Sequence, residues 1–113
     1  MPLFPVFVDL RDREVLVVGG GDVATRKIQA LLRAGARVLV HARELSPALQ
    51  ALAAQGGLER LEGDAVDPHW IERAWLVVAA TDDHVLNRTL AAQATAAKRW
   101  INVVDDAELS TYQ

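Results

Sequence analysis

Short apolar runs punctuate this chain, and between them the apolar residues recur at helical spacing. Glu14–Val18 is apolar after its first residue, the pattern of a parallel strand covered on both faces. Gly19-Gly20-Gly21 breaks it. From Asp22 to Ala34, residues Val23, Ala24, Ile28, Leu31 and Leu32 mark one side of a helix, which Gly35 stops. Arg37–His41 predicts a second strand, and Ser46-Pro47 supplies an N-cap and first-turn proline for a helix to about Gln55. Leu58–Glu62 has a weaker strand pattern and is placed third, at a sheet edge. Asp67-Pro68 repeats the cap-and-proline signal for a short helix to Ala74. Trp75–Ala80 predicts a fourth strand, apolar on both faces. A longer helix is expected from Thr81-Asp82-Asp83 to about Lys98, burying Val85, Leu86, Leu90 and Ala97. Trp100–Val104 predicts the fifth strand.

Strands alternating with helices over connections this short require right-handed crossovers and a parallel sheet. The expected architecture is α/β: a Rossmann-like doubly wound parallel sheet of about five strands, in the order 3-2-1-4-5, forming one domain over residues 1–113. Leu3–Val8 is expected to pack across the sheet or the first helix. Trp70, Trp75 and Trp100 are expected to pack the sheet and its helices.

Composition narrows the function. The 113 residues carry 12 basic and 15 acidic side chains, a net charge of −3, which argues against a nucleic-acid surface. There is no cysteine, hence no disulfide framework, thiolate metal site or cysteine nucleophile. The apolar runs are too short to span a bilayer, and Met1–Leu10 lacks the layout of a secretory signal. The expectation is a cytoplasmic domain with no nucleic-acid or membrane partner. His41, His69 and His84 share no metal-ligand spacing, so no metal site is assigned.

Gly19-Gly20-Gly21-Asp22-Val23-Ala24 fits G-x-G-x-x-A between a strand and a helix. In the cofactor reading Gly19 permits the tight turn, Gly21 lets a pyrophosphate approach the backbone, and Ala24 keeps helix and strand close; a tight βα turn that needs glycine for geometry alone is the competing reading. The helix N-terminus then offers N–H groups and partial positive charge to the phosphates. A carboxylate usually ends the second strand of such a unit and grips the ribose. Here His41 stands there, followed by Arg43 and Glu44. Glu44 suits a ribose and Arg43 a 2′-phosphate, which leaves NAD and NADP both open.

Further polar residues fall at the carboxyl ends of the strands, where open α/β sheets bind ligands. Thr81 is placed to meet the nicotinamide end or its ribose, with helix capping as the competing reading, while Asp82 and Asp83 read more readily as helix caps. Asp105 ends a strand, where a carboxylate beside a nicotinamide could take a proton as hydride leaves a substrate; an ordinary turn acid is the competing reading. Asp105-Asp106 without a third ligand is a weak metal signal. Arg26 and Lys27 lie early in the first helix, where cations oppose the dipole. Either an anionic ligand or a solvated helix face accounts for them.

Val17-Val-Gly-Gly-Gly-Asp-Val-Ala-Thr-Arg-Lys27 resembles the signature of the siroheme synthase N-terminal module, the precorrin-2 dehydrogenase family. Leu31–Arg37, Ala79–Asp83 with Asn87, Asn102–Asp106 and the opening Leu3–Phe7 with Leu10 extend the likeness along the chain. The resemblance implies an NAD-dependent dehydrogenase that oxidises precorrin-2, a polycarboxylate tetrapyrrole, to sirohydrochlorin. Many members of the family also insert ferrous iron as ferrochelatases, and the resemblance leaves open whether the full-length protein does so. By position it assigns Gly19, Gly21, Asp22 and Val23 to the cofactor turn, Arg43 and Glu44 to the adenosine-side loop, and Thr81 to the second cofactor-facing loop. Asp105 matches the family's essential aspartate. The family continues into a dimerisation region and a helical domain, sometimes with a methyltransferase. The chain is therefore expected to be the N-terminal part of a longer, homodimeric protein. The rival class is a non-catalytic NAD(H)-sensing regulatory domain on the same fold. Such a module usually keeps an acid where His41 stands, and it gives Asn102–Asp105 no role.

Overall fold

The computed structural model describes residues 2–113. Five strands and four helices alternate along it: β1 (Glu14–Val18), α1 (Asp22–Arg33), β2 (Arg37–His41), α2 (Pro47–Ala54), β3 (Glu59–Arg60), α3 (Pro68–Arg73), β4 (Leu76–Ala79), α4 (His84–Ala96) and β5 (Trp100–Val103). Every pairing is parallel, and the order is β3-β2-β1-β4-β5, as the sequence predicts. Val17 of central β1 lies opposite Val40 on one side and Val78 on the other.

Because strand side chains alternate, the continuous valine and leucine runs feed two cores. Val15, Val17, Val38, Val40, Leu76 and Val78 pack beneath α1 and α2 with Ala24, Ile28 and Leu49. Leu16, Val18, Leu39, Val77, Ala79, Ile101 and Val103 pack beneath α3 and α4 with Ile71, Leu90, Ala91 and Ala94. Ile28 and Leu49 are fully buried. Truncating either to alanine would cost about 2–5 kcal/mol.

Capping sets the helix starts. Ser46 Oγ accepts from the Leu49 N–H (3.2 Å), an Asp67 carboxylate oxygen from His69 (2.9 Å) and an Asp83 carboxylate oxygen from Leu86 (3.0 Å). Helix α1 is the exception: its N-cap is Gly21, and no side chain caps it.

Four details differ from the pattern-based expectation. The third strand shrinks to Glu59–Arg60, because both residues are exposed and only β2 supports them. The inner face of α4 is Asn87, Leu90, Ala91 and Ala94, with Leu86 and Ala97 at its margin, while Val85 points outward. Leu3, Phe4, Val6 and Phe7 are exposed; Val8 and Leu10, nearer β1, make the contacts expected of that whole segment. Trp75 and Trp100 lie at the amino ends of their strands, about half exposed, with the Arg13 guanidinium stacked 4.3 Å from the Trp75 ring.

Beyond β5 the chain doubles back along the sheet edge. The Val103 N–H donates to Ser110 Oγ (2.8 Å), and the Ile101 N–H to Thr111 Oγ1 (2.9 Å). The Thr111 N–H in turn donates to the Ile101 carbonyl (2.8 Å). Over β4 and β5, the face that carries α1 and α2 has no helix. Val8 and Tyr112 cover it only in part, leaving a trough between α1 and β5.

Candidate functional site

The loops after β1, β2 and β4 meet at the carboxyl edge of the sheet around a cleft of about 530 Å³. Gly19, Gly21, Asp22, Val23, Arg43, Glu44 and Thr81 all line it, together with His41, Asp64, Asp82 and Asp83. All seven cofactor-site residues expected from the sequence are thus brought together.

The three glycines have different reasons to be glycine. Gly19 sits at φ +126°, a region side chains avoid, and a Cβ there would overlap the Ala80 carbonyl at the end of β4. A Cβ on Gly20 would overlap the Glu44 carbonyl oxygen and lie 2.9 Å from the Ala42 methyl. Gly20 also accepts from the Ser46 N–H (2.8 Å), so the turn is fastened to the loop after β2. A Cβ on Gly21 meets nothing within 4 Å. Protein packing therefore requires the first two glycines and not the third, and the space kept open faces the start of α1.

Helix geometry leaves the first N–H groups of α1 without intrahelical partners. The other three helices answer this with a side chain, and α1 does not. Thr25, the residue best placed to interfere, instead bonds backward to the Gly21 carbonyl (2.7 Å) and across to Ser46 Oγ (2.7 Å). The result is a set of convergent N–H donors at the positive end of a 12-residue helix, facing open space and suited to a phosphate.

Arg43 and Glu44 are exposed on the loop after β2. Arg60 holds that loop by donating to the Ala42 (3.2 Å) and Arg43 (3.1 Å) carbonyls. His41 does not stand in for the missing ribose acid, since its Nε2 lies 2.9 Å from the Gly63 carbonyl. After β4, the Thr81 hydroxyl donates to Asn87 Oδ1 (2.6 Å) and accepts from the Asp83 N–H (3.1 Å). Asn87 Nδ2 donates back to the Thr81 carbonyl (3.0 Å). Asn87 is 5% exposed, and its amide fixes the loop that carries Thr81. Asp83 serves as a cap, as expected, while Asp82 is exposed at the cleft.

Asp105 does not line this cleft. It borders the trough between α1 and β5, about 550 Å³, with Val23, Arg26, Lys27, Ala30, Asn102 and Val104. Val23 alone borders both spaces. The two adjacent acids are distinguished at once. Asp106 accepts from the Leu109 N–H (3.2 Å) as a turn acid, whereas Asp105 is exposed at the trough with its backbone at φ +60°. A left-handed conformation at a non-glycine residue is strained, although aspartate tolerates it better than most. Among the described residues, no three of His, Asp and Glu are grouped to hold a metal ion, and no helix is long and apolar enough to cross a membrane.

Sequence reading missed Gly20, Arg60 and the role of Asn87. Gly20 occupies a free position of the motif, and its need for glycine arises from a loop some twenty residues later. Arg60 and Asn87 act through backbone groups brought close only by the fold.

Comparison with known proteins agrees with this geometry. Residues 6–113 match the model of the family described as "Putative NAD(P)-binding". The chain is 50% identical over 106 residues to a siroheme synthase of Sodalis glossinidius, covering 94% of this chain and 22% of that protein. It is 50% identical over 112 residues to a siroheme synthase of Chromobacterium violaceum, covering 99% and 24%. It thus spans about a quarter of the length of these curated relatives. Among solved structures it resembles SirC, precorrin-2 dehydrogenase, with a TM-score of 0.77 at 28% identity over 98% of this chain and 54% of that one. An Escherichia coli D-lactate dehydrogenase shares the fold alone, at TM-score 0.60 and 18% identity, over 91% of this chain and 31% of that one. With the glycine turn, the uncapped helix and the converging loops in place, the chain belongs to this "Putative NAD(P)-binding" family.

Proposed function

We propose that the chain binds NAD and is the N-terminal module of a longer, homodimeric cytoplasmic enzyme that dehydrogenates precorrin-2 to sirohydrochlorin. The observation that carries cofactor binding is the uncapped start of α1 facing the open space at Gly21. The N–H groups there take the pyrophosphate, and Gly21 allows its close approach. Glu44 takes the adenosine ribose from the loop fastened to Gly20. Thr81, held by Asn87, presents the opposite wall of the cleft to the nicotinamide half. Asp22 accepts from ribose hydroxyls rather than meeting phosphate, since its own charge already complements the helix end.

When bound, NAD supplies the hydride acceptor. The matching proton goes to Asp105, so that two electrons and two protons leave the substrate: one proton with the pair as hydride, the other to the carboxylate. Asp105 is suited to this by exposure, by a carboxylate with no hydrogen-bond partner among the described residues, and by a trough that meets the cofactor cleft at Val23. Support for the substrate comes from the siroheme synthase and precorrin-2 dehydrogenase likenesses. Insertion of ferrous iron, as a substrate of the full-length protein, belongs to the same proposal and uses the same aspartate.

Calorimetric titration with NAD⁺ and, separately, NADP⁺ tests the cofactor. Saturable binding that prefers NAD⁺ is expected. Preference for NADP⁺ would shift the adenosine side to Arg43, and binding of neither to the full-length protein would overturn the proposal. Oxidation of precorrin-2 by that protein with NAD⁺ tests the reaction.

A further inference from the structure

Arg26 and Lys27 sit beside the phosphate-binding turn in sequence, but the structure aims them elsewhere. Val23, Arg26, Lys27 and Ala30 form one stripe of α1 at i, i+3, i+4 and i+7, and this stripe faces β5 across the trough. Neither cation lines the dinucleotide cleft. The two ion pairs among the described residues are Arg11–Asp9 and Arg73–Glu14, so neither Arg26 nor Lys27 is neutralised by a neighbour. A doubly wound sheet ordinarily covers its strands with helices on both faces. Here β5 lacks one on this face, and the uncovered floor presents Asn102 and ends at Asp105. The trough therefore holds two cations, an amide and one acid on a molecule of net charge −3.

We propose that Arg26 and Lys27 are the carboxylate-docking residues of the substrate site, anchoring peripheral acids of the polycarboxylate macrocycle along α1. This rests on the dehydrogenase reading and adds to it. With side-chain carboxylates on the cationic stripe, the ring lies over the floor of the trough. Its oxidisable carbon is then held beside Asp105 where the trough meets the cofactor cleft at Val23, open to direct contact with the nicotinamide. Arg26 forms the forked contact to a carboxylate, Lys27 a single point charge, and Asn102 a neutral hydrogen bond. The pair are positioning residues: they fix where the substrate sits and leave proton transfer to Asp105.

The test compares the full-length protein with its Arg26→Glu/Lys27→Glu and Arg26→Lys/Lys27→Arg variants. The readouts are sirohydrochlorin binding by absorbance titration, NAD⁺ binding by calorimetry, and KM for precorrin-2. Both side chains are exposed, so circular dichroism melts should coincide. Charge reversal is expected to weaken sirohydrochlorin binding at least tenfold and to raise the precorrin-2 KM similarly, with NAD⁺ affinity unchanged within twofold. The charge-conserving variant should stay within threefold of wild type. The wild-type affinity should also fall more steeply with salt than that of the reversed variant. Unchanged sirohydrochlorin binding in the reversed variant would overturn the proposal. So would an equal loss in the charge-conserving one, a parallel loss of NAD⁺ affinity, or a wild type that does not bind sirohydrochlorin. Absence of precorrin-2 oxidation by wild type would refute the dehydrogenase reading alone, because the binding comparison judges the trough without turnover.

Discussion

Replacing each of Gly20 and Gly21 by alanine separates what the turn does for the fold from what it does for a ligand. At Gly21 the backbone is at φ −87° and ψ −158°, which alanine adopts freely, and the added methyl meets nothing within 4 Å. Alanine is a poorer N-cap than glycine, but it also lowers the entropy of the unfolded chain. These effects oppose one another, and stability should stay within about 1 kcal/mol of wild type. The same methyl occupies the space a pyrophosphate would enter. Pushing the phosphates off one or two charge-assisted N–H contacts removes about 2–4 kcal/mol of binding, or roughly 30- to 1000-fold in NAD⁺ affinity. Gly20→Ala behaves in the opposite way. Its methyl overlaps the Glu44 carbonyl, and the Ser46 N–H bond to Gly20 keeps turn and loop from separating. Overpacking against backbone should cost about 3 kcal/mol or more, and for a domain of this size lower Tm by roughly 10 °C or more. Thermal melts and calorimetric NAD⁺ titrations on the two variants suffice. If Gly21→Ala binds NAD⁺ like wild type, or is as unstable as Gly20→Ala, the open space at Gly21 is not a phosphate site and the reasoning fails.

Three further outcomes are expected. Asp105→Asn should keep stability within about 0.5 kcal/mol, since asparagine tolerates the same left-handed backbone, yet lower precorrin-2 oxidation by the full-length protein ~100-fold or more with NAD⁺ affinity intact; turnover near wild type would remove Asp105 from proton transfer. Asn87→Ala removes the amide that bonds both the Thr81 hydroxyl and its carbonyl, leaving the hydroxyl only Asp83, and should cost about 1–3 kcal/mol in urea denaturation, with weaker NAD⁺ binding because the loop is no longer held to α4. Asp83→Ala should lose about 1 kcal/mol, the worth of a helix cap, and leave NAD⁺ affinity nearly unchanged; a large affinity loss would make this residue a ligand rather than a cap.

Much of the fold was legible because single-residue properties repeat along each element. The valine runs at β1, β2 and β4 are apolar on both faces, and this pattern alone predicts buried parallel strands. Ser46-Pro47 and Asp67-Pro68 start α2 and α3 where the cap chemistry places them. Legibility fails where a residue answers to distant chain. Asn87 is buried on α4 because the Thr81 loop folds over it, and the helix turns its inner face accordingly, leaving Val85 outside. The candidate site divides in the same way. The residues expected to meet a cofactor follow strand ends and could be enumerated from the sequence, and they line one cleft. That Asp105 borders a different space from Thr81 depends on how α1 crosses the sheet, which no local pattern encodes.

The two rims of the sheet bear on how this protein can associate. On one side, β3 is two residues long and carries the charged, exposed Glu59 and Arg60. On the other, Ser110 and Thr111 satisfy the outward amides of β5 with their hydroxyls. A strand from a second molecule would have to evict those hydroxyls or settle for a two-residue seam. Continuous sheets between copies are therefore disfavoured, as is edge-seeded aggregation. Self-association is left to surfaces made of side chains; apart from a lone Val85 on α4, the exposed large apolar ones are Leu3, Phe4, Val6 and Phe7 with the neighbouring Trp75 and Trp100. A dimer built on those surfaces would leave the cofactor cleft free on each subunit and bring the partner beside the trough, because Val6 and Phe7 border a pocket that shares Lys27, Ala30 and Asn102 with it.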